Sequence, residues 1–251
     1  VTEKPLVAQD YRKALHVNPK QKTDGYIEGF SDVMNTDVII TWCVGHLIAM
    51  SYPHVYDEAL TKWNLDTLPF LPQQYKYEVK SSVQKQFNII KKLYHLGELS
   101  AIYYAGDAGR EGIYIQALVR QMAGHKPGII EKVVWLDSQT ESEILRGIRE
   151  AKDISEYRKK IDAAYIRAIE DYAVGINFSR ALSCKYGAAF NARISASKWT
   201  TISVGRVMSC VLGMIVERER EIREFVETPF YKIEANTGFT SEWKAIDRSA
   251  F

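Results

Sequence analysis

The chain is 251 residues long, carries a formal net charge of +2, and is 46% apolar and 25% charged. That length admits one large or two ordinary domains with an ample core, and the lack of an 18-residue apolar run excludes a membrane-spanning helix. Cys43, Cys184 and Cys210 are odd in number and far apart, which excludes a zinc site and predicts reduced core or near-core thiols in a cytoplasmic protein.

Val1 and Thr2 read as the end of a strand, trimmed at its start and with no secretory leader before it. Glu3 stands at the strand exit and Pro5 at the first position of a helix. Val38 to Trp42 is a short apolar run suited to a buried central strand. His54 to Lys80 carries two prolines, Pro69 and Pro72, and no clear period, so a surface excursion is expected there. Val83, Phe87, Ile90 and Leu93 mark one face of a helix over 83–96.

Ala101 to Ala105 reads as a second buried strand that breaks at Gly106, followed by a helix pattern from Glu111 through Val119. Asp107 and Glu111 then lie on the strand-to-helix turn, at the sheet edge where α/β proteins place their chemistry. Two such carboxylates suit a hard cation such as Mg²⁺, although an aspartate capping a helix is the plainer alternative. Lys132 to Leu136 is a further strand, and Ser138 with Glu141 three residues on reads as a capping box. The alternation of strands and helices over residues 1–140 predicts an α/β fold around a parallel sheet.

From Ser155 to Phe190 the period becomes 3.6, with Ile161, Ala164, Tyr165, Ala168, Ile169, Tyr172 and Ile176 on one stripe. A second helix is expected over 205–225 and a strand over 230–235. Between Arg158 and Arg206 nine Lys/Arg face only Asp162, Glu170 and Asp171, so the remainder of the chain is net acidic. Interleaved with Tyr165, Tyr172, Phe178, Tyr186, Phe190 and Trp199, these cations suit a groove for single-stranded DNA. A solvated helix face over an aromatic core is the competing reading. Arg167 and Asp171 share a helix face, as either a groove pair or an ordinary surface ion pair. Arg206 follows Ser203-Val204-Gly205 at a helix start, where N–H groups and a guanidinium can share a phosphate.

Glu3-Lys4-Pro5 paired with Asp107-Ala108-Gly109-Arg110-Glu111-Gly112 resembles the toprim domain of type IA DNA topoisomerases. Gly45-His46-Leu47, Tyr52-Pro53 and Leu68-Pro69-Phe70-Leu71-Pro72 continue the likeness between them. Residues 168–182 and Ser203-Val204-Gly205-Arg206-Val207 are similar to the helix before the DNA groove and the Ser-x-Gly-Arg-Val segment of topoisomerase III-like members. The resemblance implies a Rossmann-like toprim sheet over 1–150, a mainly helical DNA-binding domain over 151–227, and the opening of a β-rich arch over 228–251.

For function, the resemblance implies Glu3 as general acid/base, with Lys4 contacting the phosphate and steadying it. It implies Mg²⁺ held by Glu3, Asp107 and Glu111, and single-stranded DNA met by Arg110, Arg167, Asp171, Arg180, Ser203 and Arg206. The sequence departs from the family pattern at Gly109 and Ile113, where acidic residues are usual, and at Met208 and Cys210, where Gln and Pro are usual. These departures weaken the expected metal site and a contact at 208. None of the 15 tyrosines stands in the family's nucleophile setting, so the catalytic tyrosine is expected beyond residue 251. Another toprim enzyme would lack the Ser203–Arg206 segment, whereas a DNA-binding module without catalysis would tolerate Gly109, Ile113 and Met208. No membrane partner is expected, and a monomer is the default.

Overall fold

Helix α1 (Pro5–Ala14) begins at a proline whose missing N–H the first helical turn does not need, and its Val7, Ala8, Tyr11 and Ala14 are buried. Strands β1 (Val17–Pro19), β2 (Tyr26–Ser31) and β3 (Thr36–Thr41) follow as an antiparallel meander, with Val17 opposite Ser31 and Tyr26 opposite Thr41. The first residues of the chain then complete the sheet. Thr2 forms parallel bridges to Trp42 and Ala105. Its N–H reaches Thr41 at 2.9 Å, and its carbonyl accepts from Cys43 at 2.8 Å.

On the other side of Thr2 lie β6 (Ala101–Tyr104), β7 (Ile130–Val133), which pairs with β6 in parallel, and β8 (Lys152–Asp153), antiparallel at the edge. Between β3 and β6, β4 (Ile48–Met50) and β5 (Tyr77–Val79) pair across the proline-rich excursion. That excursion is not wholly superficial: Phe70 is buried, and Asn177 holds both its N–H, at 2.5 Å, and its carbonyl, at 2.9 Å.

Helices clothe both faces of the sheet. Ile102 and Tyr104 of β6 point into one apolar cluster with α2 (Gln84–Tyr94) and α3 (Arg110–Ala123). Ala105 joins a second cluster with α1 and with α4 (Glu141–Arg149). The period of two along the strand therefore sorts one side chain to each layer. The sheet is mixed: its parallel centre is as expected, and antiparallel strands flank it.

The 36-residue α5 (Arg158–Arg193) is about 54 Å long. Its Ile161, Ala164, Tyr165 and Ala168 pack on the first cluster, so the predicted stripe is real at that end. The expected cap is displaced: Thr140 is the N-cap residue of α4, and the Ser138 hydroxyl accepts the Thr140 N–H at 3.4 Å. Cys43 is buried as expected, and burial pushes its thiol pKa up to about 12. Cys184 is exposed on α5, and Cys210 is exposed on a helix none of whose residues is buried.

These elements make up one unit, Val1–Gly205. A second, Arg206–Phe251, holds α6 (Arg206–Arg223) and a hairpin of β9 (Glu234–Asn236) and β10 (Thr240–Glu242). The computed structural model describes all residues except 22, 196, 228, 230–232, 237 and 243–251, so the first half of the strand expected over 230–235 lies outside the described residues, and residues 234 and 235 fall in β9. Among the described residues no helix is long and apolar enough to cross a membrane.

Candidate active site

The parallel register at Thr2 brings two chain turns together. Residue 3 leaves the sheet beside the exit of β6, so the turn after Thr2 and the turn after Ala105 share one edge. Asp107 donates its backbone N–H to Glu3 Oε2 at 3.3 Å. Lys4 Nζ bridges the two acids, 2.9 Å from Asp107 Oδ2 and 3.3 Å from Glu3 Oε1. Hydrogen bonds to Asp107 and then Glu3 raise the Lys4 pKa, so the ammonium stays charged.

Burial separates the two acids. Glu3 is 7% exposed, whereas the side chain of Asp107 is 45% exposed and faces a cleft of about 300 Å³. Tyr11, Asp137, Ser138 and Gln139 also line that cleft, and Gln139 Nε2 lies 3.5 Å from Asp107 Oδ1.

The turn after β6 is tight because two glycines meet. A β-carbon on Gly112 would lie 2.2 Å from the Asp107 carbonyl oxygen, and one on Gly106 would lie 3.0 Å from the Gly112 carbonyl. The first turn of α3 can thus sit directly against the Asp107 backbone. Glu111, whose side chain is 77% exposed, turns instead to His46 Nε2 at 3.1 Å. His46 in turn sets its ring at an edge to Tyr114, 6.2 Å between centroids. Among the described residues no three His, Cys, Asp or Glu side chains converge as a ligand set. The pair that does adjoin, Glu3 and Asp107, offers the oxygen donors a hard cation takes, and Mg²⁺ characteristically uses only one or two carboxylates beside substrate phosphates.

The expected DNA contacts scatter. Arg110 is exposed at the start of α3, next to the acid pair in sequence. Arg167 and Asp171 form an ion pair at 2.9 Å along α5. Arg180 is 3% exposed, with Nε and Nη1 unpartnered, and its guanidinium lies 5.3 Å from the ring centroid of Trp63. Desolvation lowers its pKa. An arginine so enclosed cannot meet DNA in this conformation, so that expectation is corrected. Ser203 is exposed on the segment returning along α5, and Arg206 opens α6 in the second unit.

The aromatic set also divides. Tyr165 packs edge-on against Tyr77 and Tyr114, Tyr172 packs against Tyr75, and burial pushes both hydroxyls up to about 12. Phe178, Tyr186, Phe190 and Trp199 remain exposed and available for stacking. Gln139, inside the expected cap, and His46 carry no sequence signal of their own that would place them at this site.

A family model described as DNA topoisomerase matches residues 155–251. A DNA topoisomerase 3 of Staphylococcus epidermidis is 34% identical over 236 residues, covering 94% of this chain and 30% of the relative. A Staphylococcus aureus DNA topoisomerase 3 is 34% identical over 233 residues, with 93% and 30% covered. The full-length topoisomerase I structure from Thermotoga maritima superposes with a TM-score of 0.52 at 22% identity, covering 98% of this chain and 34% of that one. The chain thus spans about a third of the length of the curated relatives it matches.

Proposed function

This chain belongs to the type IA DNA topoisomerases, and from that premise we propose that it supplies the acid/base and metal-binding half of a site that cuts and reseals one DNA strand. The observation that carries the reading is the convergence of Glu3, Lys4 and Asp107 at one sheet edge. In this toprim-type arrangement Glu3, shielded from water, moves the proton at the scissile phosphate. Lys4 sits between the acids and is free to turn its cation toward a phosphate oxygen once DNA enters. Asp107, with Glu3, would hold Mg²⁺, and Glu111 would join them on leaving His46. The ion would supply positive charge beside the phosphate.

Single-stranded DNA is the substrate class that the exposed aromatics and cations of α5 fit best. Arg110, Arg167 with Asp171, Ser203 and Arg206 are the proposed contacts. The nucleophilic tyrosine lies outside this chain in this reading. Tyr11, which lines the cleft beside Asp107, is buried, and desolvation raises its pKa well above the ordinary tyrosine value, making it a poor nucleophile.

The test uses a labelled single-stranded oligonucleotide titrated with and without Mg²⁺. The expected result is a saturable, severalfold Mg²⁺-dependent gain in affinity that Asp107→Asn removes while metal-free binding persists, with no covalent adduct trapped. An unchanged Mg²⁺ response in Asp107→Asn, or an adduct mapped to any tyrosine of this chain, would overturn it. The alternative, a DNA-binding module without catalysis, draws its support from Gly109 and from Glu111 being engaged by His46. It predicts DNA binding indifferent to Mg²⁺ in the wild type.

A further inference from the structure

Beyond Ser195, which takes φ 50°, residues 199–204 run back along α5. Three side chains of the helix grip this segment. Asn191 Oδ1 accepts the Thr200 N–H at 2.7 Å, and its Nδ2 donates to the Thr200 carbonyl at 2.8 Å. Ser183 Oγ accepts the Ile202 N–H at 2.9 Å and lies 3.5 Å from the Ile202 carbonyl oxygen. Ser179 Oγ accepts the Val204 N–H at 2.8 Å and lies 3.5 Å from that residue's carbonyl oxygen.

The match is geometric. Asn191 leans back one turn, its Nδ2 also donating to the Gly187 carbonyl at 2.9 Å, so its amide serves the level of residue 187. Levels 187, 183 and 179 are about 6 Å apart along the helix axis, and alternate residues of an extended chain are about 6.6 Å apart. The two ladders therefore stay in register from Thr200 to Val204. Gly187 leaves room for the Trp199 indole, which would come within 2.6 Å of a β-carbon there.

In an extended chain the N–H and C=O of one residue point to one side, and the next residue's point to the other. Thr200, Ile202 and Val204 commit theirs to α5, so Thr201 and Ser203, both exposed, turn theirs outward. No Asp or Glu occurs from residue 194 to 205, and Lys198 is the one charged residue of that stretch. We infer that Ser179, Ser183 and Asn191 are positioning residues that hold this segment straight so that the outward N–H groups of Thr201 and Ser203 take phosphate oxygens of a single DNA strand. Main-chain donors grip a backbone without reading its bases, as a sequence-indifferent site requires. The inference rests on the single-stranded DNA reading above.

Thr201→Pro is the decisive variant in the full chain. It deletes one outward N–H, keeps every bond to α5, and asks only for the extended backbone already present. Affinity for a labelled oligothymidylate is expected to fall about tenfold with the melting temperature unchanged. Thr201→Val, which keeps the N–H, and Ser179→Thr, which keeps the hydroxyl, are expected to bind like the wild type. The pair Ser179→Ala/Ser183→Ala is expected to match Thr201→Pro. Wild-type affinity in Thr201→Pro overturns the inference and leaves the DNA reading intact. An equal loss in Thr201→Val assigns the contact to the hydroxyl and also overturns it. Failure of the wild type to bind the oligonucleotide would sink both.

Discussion

Replacing Gly112 with alanine is expected to destabilise the first unit and dismantle the acid pair together. Two effects oppose one another. Alanine inside a helix is better than glycine by up to about 1 kcal/mol. Against that, the new methyl would lie 2.2 Å from the Asp107 carbonyl oxygen and 2.8 Å from the Asp107 nitrogen, which are backbone atoms with no rotamer to yield. Overpacking of this kind costs about 1–3 kcal/mol, and a backbone collision belongs at the upper end, so sterics win by about 2 kcal/mol. For a unit of this size that lowers the melting temperature by about 4–8 °C. Relief comes from moving the Asp107 turn off α3, which strains its N–H bond to Glu3. The proposed Mg²⁺ response should therefore vanish even where the variant is folded. Gly109→Ala is the control, because its β-carbon meets nothing within 4 Å and its backbone is extended. A Gly112→Ala protein that melts with the wild type would show that the turn and helix do not touch as described.

The turns that carry this site were legible because glycine and carboxylate punctuate apolar runs there. Ala101 to Gly112 reads as strand, turn and helix on composition alone, and Pro5 marks the start of α1. The pairing of the two turns was not legible from periodicity, since it depends on single bridges from Thr2 to Trp42 and Ala105. A one-residue strand has no period. The β1–β2 meander was missed for a related reason. β1 is three residues long, and in β2 the inward positions hold Gly29 and Ser31 while Phe30 faces outward, so no apolar alternation shows.

Misplaced expectations share another cause. Counting cations from 158 to 206 treated every charge as solvated, yet Arg180 is enclosed because α5 packs against the excursion that carries Trp63. Aromatic interleaving likewise cannot distinguish Tyr165, in the core, from Tyr186, outside it. Helical spacing gives the angle of a residue around its own axis, and only the neighbouring element decides whether that angle is wet. For the same reason the Ser179–Ser183 spacing carried no message until residues 199–204 were found lying on it.

A second large effect is expected where β6 is anchored from behind. Glu131, buried on β7, receives Arg120 Nε at 2.6 Å and Nη2 at 2.7 Å, and the Tyr104 hydroxyl at 2.6 Å. His125 Nε2 lies 3.3 Å away. Burial alone would raise the Glu131 pKa, but the hydrogen bonds from Arg120 and Tyr104 outweigh it and hold the carboxyl below its ordinary 4.5. A depressed carboxyl stabilises the fold above that ordinary value, and the contribution disappears as pH falls through the lower, folded value. Arg120→Leu leaves Glu131 buried with its strongest partner gone. Losing one member of a fully buried pair costs 3–5 kcal/mol. The Arg120 side chain is 41% exposed, so about 2–3 kcal/mol is the expected loss at pH 7. The gap between variant and wild type should then narrow in urea melts as the pH is taken below 4.5, because protonating Glu131 removes the charge that Arg120 served. A gap independent of pH would mean that Arg120 acts through packing of its alkyl stem and not through the ion pair. Tyr104 is the last residue of β6, three before Asp107, so loosening this anchor should also weaken the proposed Mg²⁺ response without touching a single residue of the acid pair.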